Sequence, residues 1–271
     1  MIRLMFVNSR RVADSIATLS FDNFVIADTD QTYIFYGPEI LDYDLIALYQ
    51  AHGINTNNFS VVSDQDLLNQ FNLMSLDVDI YKFGGHISQQ ALKLIALDLA
   101  GHQQVLIQDC DTFAVKPYQC FDQTQPVPFV VNNPMLNSEF YDYYTLLTGI
   151  PRSNPLSFVT EFMPVDKRHW NRLKQHIESQ FSQHWLIAMY ALLDQTFTTA
   201  APFSEYEILG NWQSHCDPMI KPITQVSYKV NSFPKQKRRP WEEYNCCGVN
   251  PGYLTLDNVQ EFIKLIRQGN P

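Results

Sequence analysis

Polar and apolar positions follow two periods along the first half of this chain. The stretches "NFVIAD", "TYIFYG", "FSVVS", "QVLIQDCD" and "VPFVVNN" are short and rich in β-branched and aromatic residues, which predicts strands. Between them the period lengthens. "DYDLIALYQAHG" predicts a short helix closed by Gly53, "SDQDLLNQF" a helix capped by Ser63, and "ISQQALKLIALDLAG" a longer helix with Gly101 as terminator. In the longest of these, Ile87, Ala91, Leu94 and Ile95 form the apolar stripe. Strand–helix alternation with short links predicts an α/β fold, with a mostly parallel sheet and helices on its faces.

After about residue 150 the pattern turns helical and less regular. "DKRHWNRLKQHIESQF" predicts a helix capped by Asp166, and "QHWLIAMYALLDQTF" predicts another. A strand at "VSYKV" and a helix from Asp257 in "LDNVQEFIKLIRQG" follow. No linker rich in Gly, Ser or Pro divides the chain. The expectation is a single domain over 1–271, with a nucleotide-binding half over about 1–150 and an irregular half over about 151–271.

Composition narrows the partners. With 45% hydrophobic residues among 271, the chain can bury a large core, and a charged share of 17% argues against disorder. The formal charge of −9 excludes nucleic acid as a general partner, so an anionic substrate must be met by particular cations, helix-start amides or a metal. Five cysteines, an odd number without a C-x-x-C pair, suggest reduced thiols. The N-terminus lacks the order of a secretory signal, and no apolar run reaches the roughly 18 residues of a membrane span. A soluble cytoplasmic protein is expected. "KQKRRP" at 235–240, bounded by Pro234 and Pro240, reads as a solvated loop, a flap over a diphosphate, or a peripheral contact with an anionic membrane surface.

The strand "QVLIQDCD" ends in two groups that are costly to bury, Asp109 and Asp111. In an extended chain residues i and i+2 face one way, so the two carboxylates can share a side. Held close they repel unless a cation sits between them, and oxygen ligands suit Mg²⁺ or Mn²⁺. Open parallel sheets bind ligands at the carboxyl ends of their strands, where this pair lies. An earlier copy, Asp28-Thr29-Asp30, lies between adjacent strands and reads as a hairpin turn. Ahead of the later pair, "GGHISQQALKL" opens a helix whose Gly84 and Gly85 permit close backbone approach and whose first N–H groups suit an anion. Gln89, Gln90 and Lys93 can share a face there, with Lys93 as a partner for a diphosphate or simply a solvated lysine.

Taken in order, "GGHISQQALKL", "IQDCDTFAVKP", "FVTEFMP" and "SEYEILGNW" resemble the GT-A glycosyltransferases, and within them a poorly characterised bacterial and viral group. That group carries a QQ-x-x-K helix, then D-x-D-T, then a Ser-Glu-Tyr-Glu segment; the match spans about residues 80 to 215. The resemblance implies a nucleotide-diphosphate sugar donor, a glycan or lipid-linked glycan acceptor, and Mn²⁺ or Mg²⁺ on Asp109 and Asp111, with Asp109 also touching the donor. It places Lys93, Gln89, Gln90 and His86 in the donor pocket, His86 standing where a large aromatic residue is frequent. Glu205 and Glu207, if extended, face one side and supply the base that an inverting transfer needs; surface acids near a turn are the plainer alternative. His215 is a candidate third metal ligand. Glu161, amid apolar residues, is paired or functional. The competing functions are a nucleotidyltransferase, against which the absence of glycine in "VNSRRVADS" weighs, and a non-catalytic sugar-nucleotide or glycan-binding protein.

Overall fold

The structure is a computed structural model. It describes residues 1–8, 11–21, 25–26, 30–37, 44–131, 138–152, 154–196, 202–224, 227–230, 246–249 and 254–269. The order opens with β1 (Ile2–Val7), α1 (Val12–Ser20), β2 (Val25–Ile26), β3 (Gln31–Tyr36), α2 (Leu45–Ala51), β4 (Phe59–Ser63) and α3 (Asp64–Phe71). A 3₁₀ turn (Leu73–Leu76) leads to α4 (Gly85–Leu99), β5 (Gln104–Asp109) and β6 (Thr112–Ala114). Four two-residue strands follow: β7 (Tyr118–Gln119), β8 (Phe121–Asp122), β9 (Gln125–Pro126) and β10 (Phe129–Val130). The remainder is α5 (Ser138–Thr148), β11 (Phe162–Asp166), α6 (Lys167–Phe181), α7 (Trp185–Thr196), α8 (Glu205–Cys216), β12 (Ile223–Thr224), β13 (Ser227–Val230), β14 (Cys246–Val249) and α9 (Val259–Gly269).

Two compact units share this path discontinuously. The first is Met1–Asp64, Gln108–Phe121 and Gln225–Pro271; the second is Gln65–Ile107 and Asp122–Thr224. β5 therefore begins in the second unit and ends in the first.

In the first unit the strands run in the order β1-β3-β4, with β1 parallel to β3 from Ile2↔Gln31 to Val7↔Tyr36 and β3 parallel to β4. All six residues of β1 are buried, and all but Arg3 are apolar, as suits a parallel strand covered on both faces. Met5, Ile16, Ala17, Ile34, Tyr49, Phe113, Phe262 and Ile263 form one core cluster, joining α1 and α9 to the sheet and to the segment after β5. Phe113 stacks on Phe21 at 4.6 Å and meets Phe262 edge-on at 6.2 Å. β6 is itself paired, antiparallel, with β14, so that Thr112 faces Gly248.

In the second unit β11 lies beside β5, among helices α3 to α8. Asp166 caps α6 by accepting from Arg168 N at 2.8 Å, as the sequence predicts. The expected helices and strands of the first half form, with local corrections. "VPFVVNN" yields the two-residue β10, because Pro128 lies just before it and its ladder is limited to β12. Gly101 does not terminate α4: its C-cap is Ala100 at φ −58°, so no left-handed residue is needed. The last helix begins at Val259 rather than Asp257.

Candidate functional site

Two charge clusters carry the chemistry-bearing residues, one in each unit. The first gathers at the end of β5. Its hydrogen bonding stops at Asp109; Cys110 and Asp111 form a turn, and β6 starts at Thr112. The alternation expected through Asp111 is corrected accordingly: the second aspartate sits on a turn, not on an extended strand. That turn is pinned from behind. Thr18 Oγ1 of α1 donates to Cys110 O at 2.7 Å, and Gln108 Nε2 donates to Thr112 O at 2.9 Å across its base.

Both aspartates are partly buried, with the Asp111 side chain 21% exposed. Arg11, the residue before α1, reaches Asp111 Oδ2 with Nη2 at 3.1 Å and donates from Nη1 to Asp14 Oδ2 at 2.9 Å. Asp14 is buried to 1% exposure, and its second oxygen, Oδ1, has no hydrogen-bond partner. Burial pushes its carboxyl up to about 6, against the pull of Arg11. Burial also pushes the Cys110 thiol up, helped by Asp111, Asp109 and Asp14 and opposed by Arg11. This cysteine is thus an unreactive space-filler between two acids. The sequence reading missed Arg11 and Asp14 as neighbours of the pair; their i, i+3 spacing at a helix start was the available signal.

The second cluster joins α4 to α8. Lys93 Nζ lies 2.6 Å from Glu205 Oε1 and 3.2 Å from Tyr206 Oη, and stands 4.6 Å from the Tyr206 ring centroid. The two charged side chains are 4% and 2% exposed. The Gln90 amide, oriented by its neighbours, donates to Phe203 O at 2.6 Å and Glu205 Oε2 at 3.2 Å and accepts from His86 Nε2 at 2.6 Å. Lys93, Gln90, His86 and Glu205 are therefore brought together, while Gln89 is half-buried on the same helix. Lys93 is not the solvated lysine that one reading allowed: it is buried and paired with the carboxylate of Glu205. Gly84 takes φ +88° at the start of α4, a conformation that favours glycine, and a Cβ on Gly84 or Gly85 would meet no protein atom within 4 Å.

"SEYE" is also corrected. It is not extended: Ser204 caps α8, its hydroxyl accepting from Glu207 N at 3.4 Å, and both glutamates lie in the first helical turn. Positions two apart on a helix point to different sides. Glu207, fully buried, accepts from Ser157 Oγ, from Phe158 N at 3.1 Å and from Asn211 Nδ2 at 3.0 Å. Burial raises its carboxyl, with those hydrogen bonds opposing. The plainer expectation, surface acids near a turn, fails as well. A hydroxyl residue three before a glutamate is the spacing of a helix start, and that signal was in the sequence.

His215 is exposed in the last turn of α8, its ring 5.9 Å from that of Trp212. Glu161 takes a left-handed φ of 64° just before β11. Of the earlier D-x-D copy, Asp30 accepts from the N-terminal ammonium at 2.8 Å and Asp28 lies outside the described residues, as do 235–240 and Trp241. Among the described residues, Cys110, Cys120 and Cys216 form no disulfide, and no helix is long and apolar enough to cross a membrane.

No protein-family model and no curated protein matches the sequence. The fold does have solved counterparts. An active-site mutant of LgtC superposes with TM-score 0.53 at 10% identity, over 99% of this chain and 95% of the other. Mouse xyloside xylosyltransferase 1 gives 0.51 at 10% identity, over 94% and 99%. LgtC as a galactosyltransferase, solved with donor and acceptor sugar analogues, gives 0.49 at 11% identity, over 98% and 96%. The architecture is the GT-A-like α/β fold, a mostly parallel central sheet flanked by helices.

Proposed function

We propose that the chain is a metal-dependent glycosyltransferase, moving a sugar from a nucleotide-diphosphate donor to a hydroxyl of a glycan or lipid-linked glycan. The single observation that carries this reading is the pinned Asp109-Cys110-Asp111 turn at the carboxyl end of β5. The likeness of fold to solved glycosyltransferases supports it, at the level of architecture.

The residues fit Mn²⁺ or Mg²⁺. Two partly accessible carboxylates on a fixed turn offer hard oxygen ligands, and among the described residues no group of three or more His, Cys, Asp or Glu adds to them. Such a cation commonly takes one or two protein carboxylates and fills its remaining positions with substrate phosphates and water. Asp109 and Asp111 would hold it; when bound, it supplies positive charge to the leaving diphosphate. The protein's own contribution is positional. Thr18 and Gln108 fix the backbone on either side of the turn, and the buried Cys110 keeps its side chain out of the carboxylates' way. The Lys93–Glu205 pair fixes the first turn of α8 to α4, and Glu207 fixes the Ser157–Phe158 backbone, so both glutamates act as positioning residues in this reading.

The test is a thermal-shift panel of UDP-, GDP-, CDP- and dTDP-sugars with and without Mn²⁺, followed by donor hydrolysis. Stabilisation by one diphosphate that needs the metal, with slow hydrolysis, both lost in Asp111→Ala, is the expected result. Binding without turnover points instead to a sugar-nucleotide-binding protein, and no response to any donor overturns both.

A further inference from the structure

The guanidinium of Arg11 sits where a cation is wanted, and it is held there by a second acid. One nitrogen, Nη2, is 3.1 Å from Asp111 Oδ2, and the other, Nη1, donates to Asp14 Oδ2 at 2.9 Å. The two contacts differ in kind. Asp14 is 1% exposed on a core helix, whereas the Asp111 side chain is 21% exposed on a turn. A buried carboxylate left without its counter-ion is costly, and a partly solvated one is not. Arg11 is therefore anchored at Asp14 and more loosely engaged at Asp111.

On the reading of the turn as a metal site, we propose that Arg11 is a built-in counter-ion for the Asp109–Asp111 turn. It holds Asp111 in the metal-free protein and yields it to a divalent cation, while Asp14 retains the guanidinium beside the site. Two carboxylates on one tight turn repel in the absence of a cation, and Arg11 relieves that repulsion without filling an octahedral oxygen site. The same contact makes the metal compete for Asp111. Loading then favours a metal that arrives with a diphosphate, whose own negative charge offsets the competition. Arg11 is a positioning residue here: it acts through Asp111.

The arrangement predicts effects of opposite sign, which loss of structure cannot produce. Mn²⁺ alone is titrated into each protein, with free Mn²⁺ followed by electron paramagnetic resonance and folding checked by circular dichroism. Arg11→Gln removes the competitor, and Mn²⁺ binding should tighten by about fivefold, the worth of one partly exposed ion pair. Arg11→Lys should return toward the wild type. Asp14→Asn removes the competing anchor and strengthens the hold of the guanidinium on Asp111, and Mn²⁺ binding should weaken. Asp111→Ala should abolish binding in both the wild-type and Arg11→Gln backgrounds. Unchanged or weaker binding in Arg11→Gln, with Asp111 still required, overturns this proposal and leaves the metal reading intact. Binding that does not depend on Asp111 in either background overturns the metal reading itself.

Discussion

The two clusters contain similar residues and satisfy them differently. In the second unit Lys93 and Glu205 are paired, 4% and 2% exposed, with Gln90 donating to the other oxygen of Glu205 and Tyr206 Oη accepting from Lys93. In the first, Arg11 is shared between Asp14 and Asp111, both it and Asp111 are about one-fifth exposed, and Asp14 keeps an unpartnered oxygen. Lysine and glutamate look like the more obvious chemistry in a sequence. Their mutual burial makes them part of the packing, because a charge already paired away from water has little left to offer a ligand. The aspartate turn is partly exposed, and it is the better candidate for binding.

Replacing Asp111 with Ala tests that contrast most sharply. Metal-dependent donor hydrolysis should disappear, while urea unfolding shifts by no more than about 1 kcal/mol, as for a partly exposed ion pair. A large loss of stability with activity retained would invert the comparison. Lys93→Ala should do the reverse, costing roughly 3–5 kcal/mol by stranding a buried carboxylate, and the double variant Lys93→Met/Glu205→Leu should recover most of it. If Lys93→Ala melts normally but loses diphosphate binding, the lysine belongs with the ligand after all. Near the same helix, a Cβ on Gly210 would lie 2.2 Å from the fully buried Phe158 ring. Gly210→Ala should therefore destabilise by about 1–3 kcal/mol through overpacking, read by urea melts.

Asp166→Ala should cost about 1 kcal/mol as a lost helix cap. Burial alone would raise this carboxyl, but hydrogen bonds from the Arg168 side chain and backbone outweigh it and hold it below its ordinary value. The contribution is therefore present above the unfolded value and lost as pH falls through the folded one. The gap between wild type and variant should hold from neutral pH to about 4 and shrink below that. At the small end stands the Lys82–Asp194 pair, with side chains 51% and 48% exposed. Lys82→Ala should change stability by less than about 0.5 kcal/mol in the same melts, showing that exposure, not pairing, sets the scale.

Much of the fold can be read from periodicity, since β4, β5, α4, α6 and α7 have runs long enough to bury a face. The "QDCD" boundary was also legible: two acids after a buried run mark where a strand meets solvent. What failed was inference that needs a neighbour distant in sequence. Lys93 meets Glu205, and Glu207 meets Ser157, through tertiary packing that no local spacing encodes. Arg11 meets Asp111 only because α1 and the segment after β5 share one core. "SEYE" failed for another reason: the period of a strand was assumed where the hydroxyl-to-acid spacing pointed to a helix.

The first unit is finished by residues from the far end of the chain, since β6 takes its hydrogen-bonding partner from Cys246–Val249 and Phe113 is covered by Phe262. A ribosome that has already made Asp109 and Asp111 has yet to make the strand and helix that hold the following segment in place. The acidic turn can acquire its final form only once Cys246–Val249 and Val259–Gly269 have also been made. A premature stop between β13 and α9 should consequently disable the protein as surely as losing either aspartate, although every residue named in the turn would still be present.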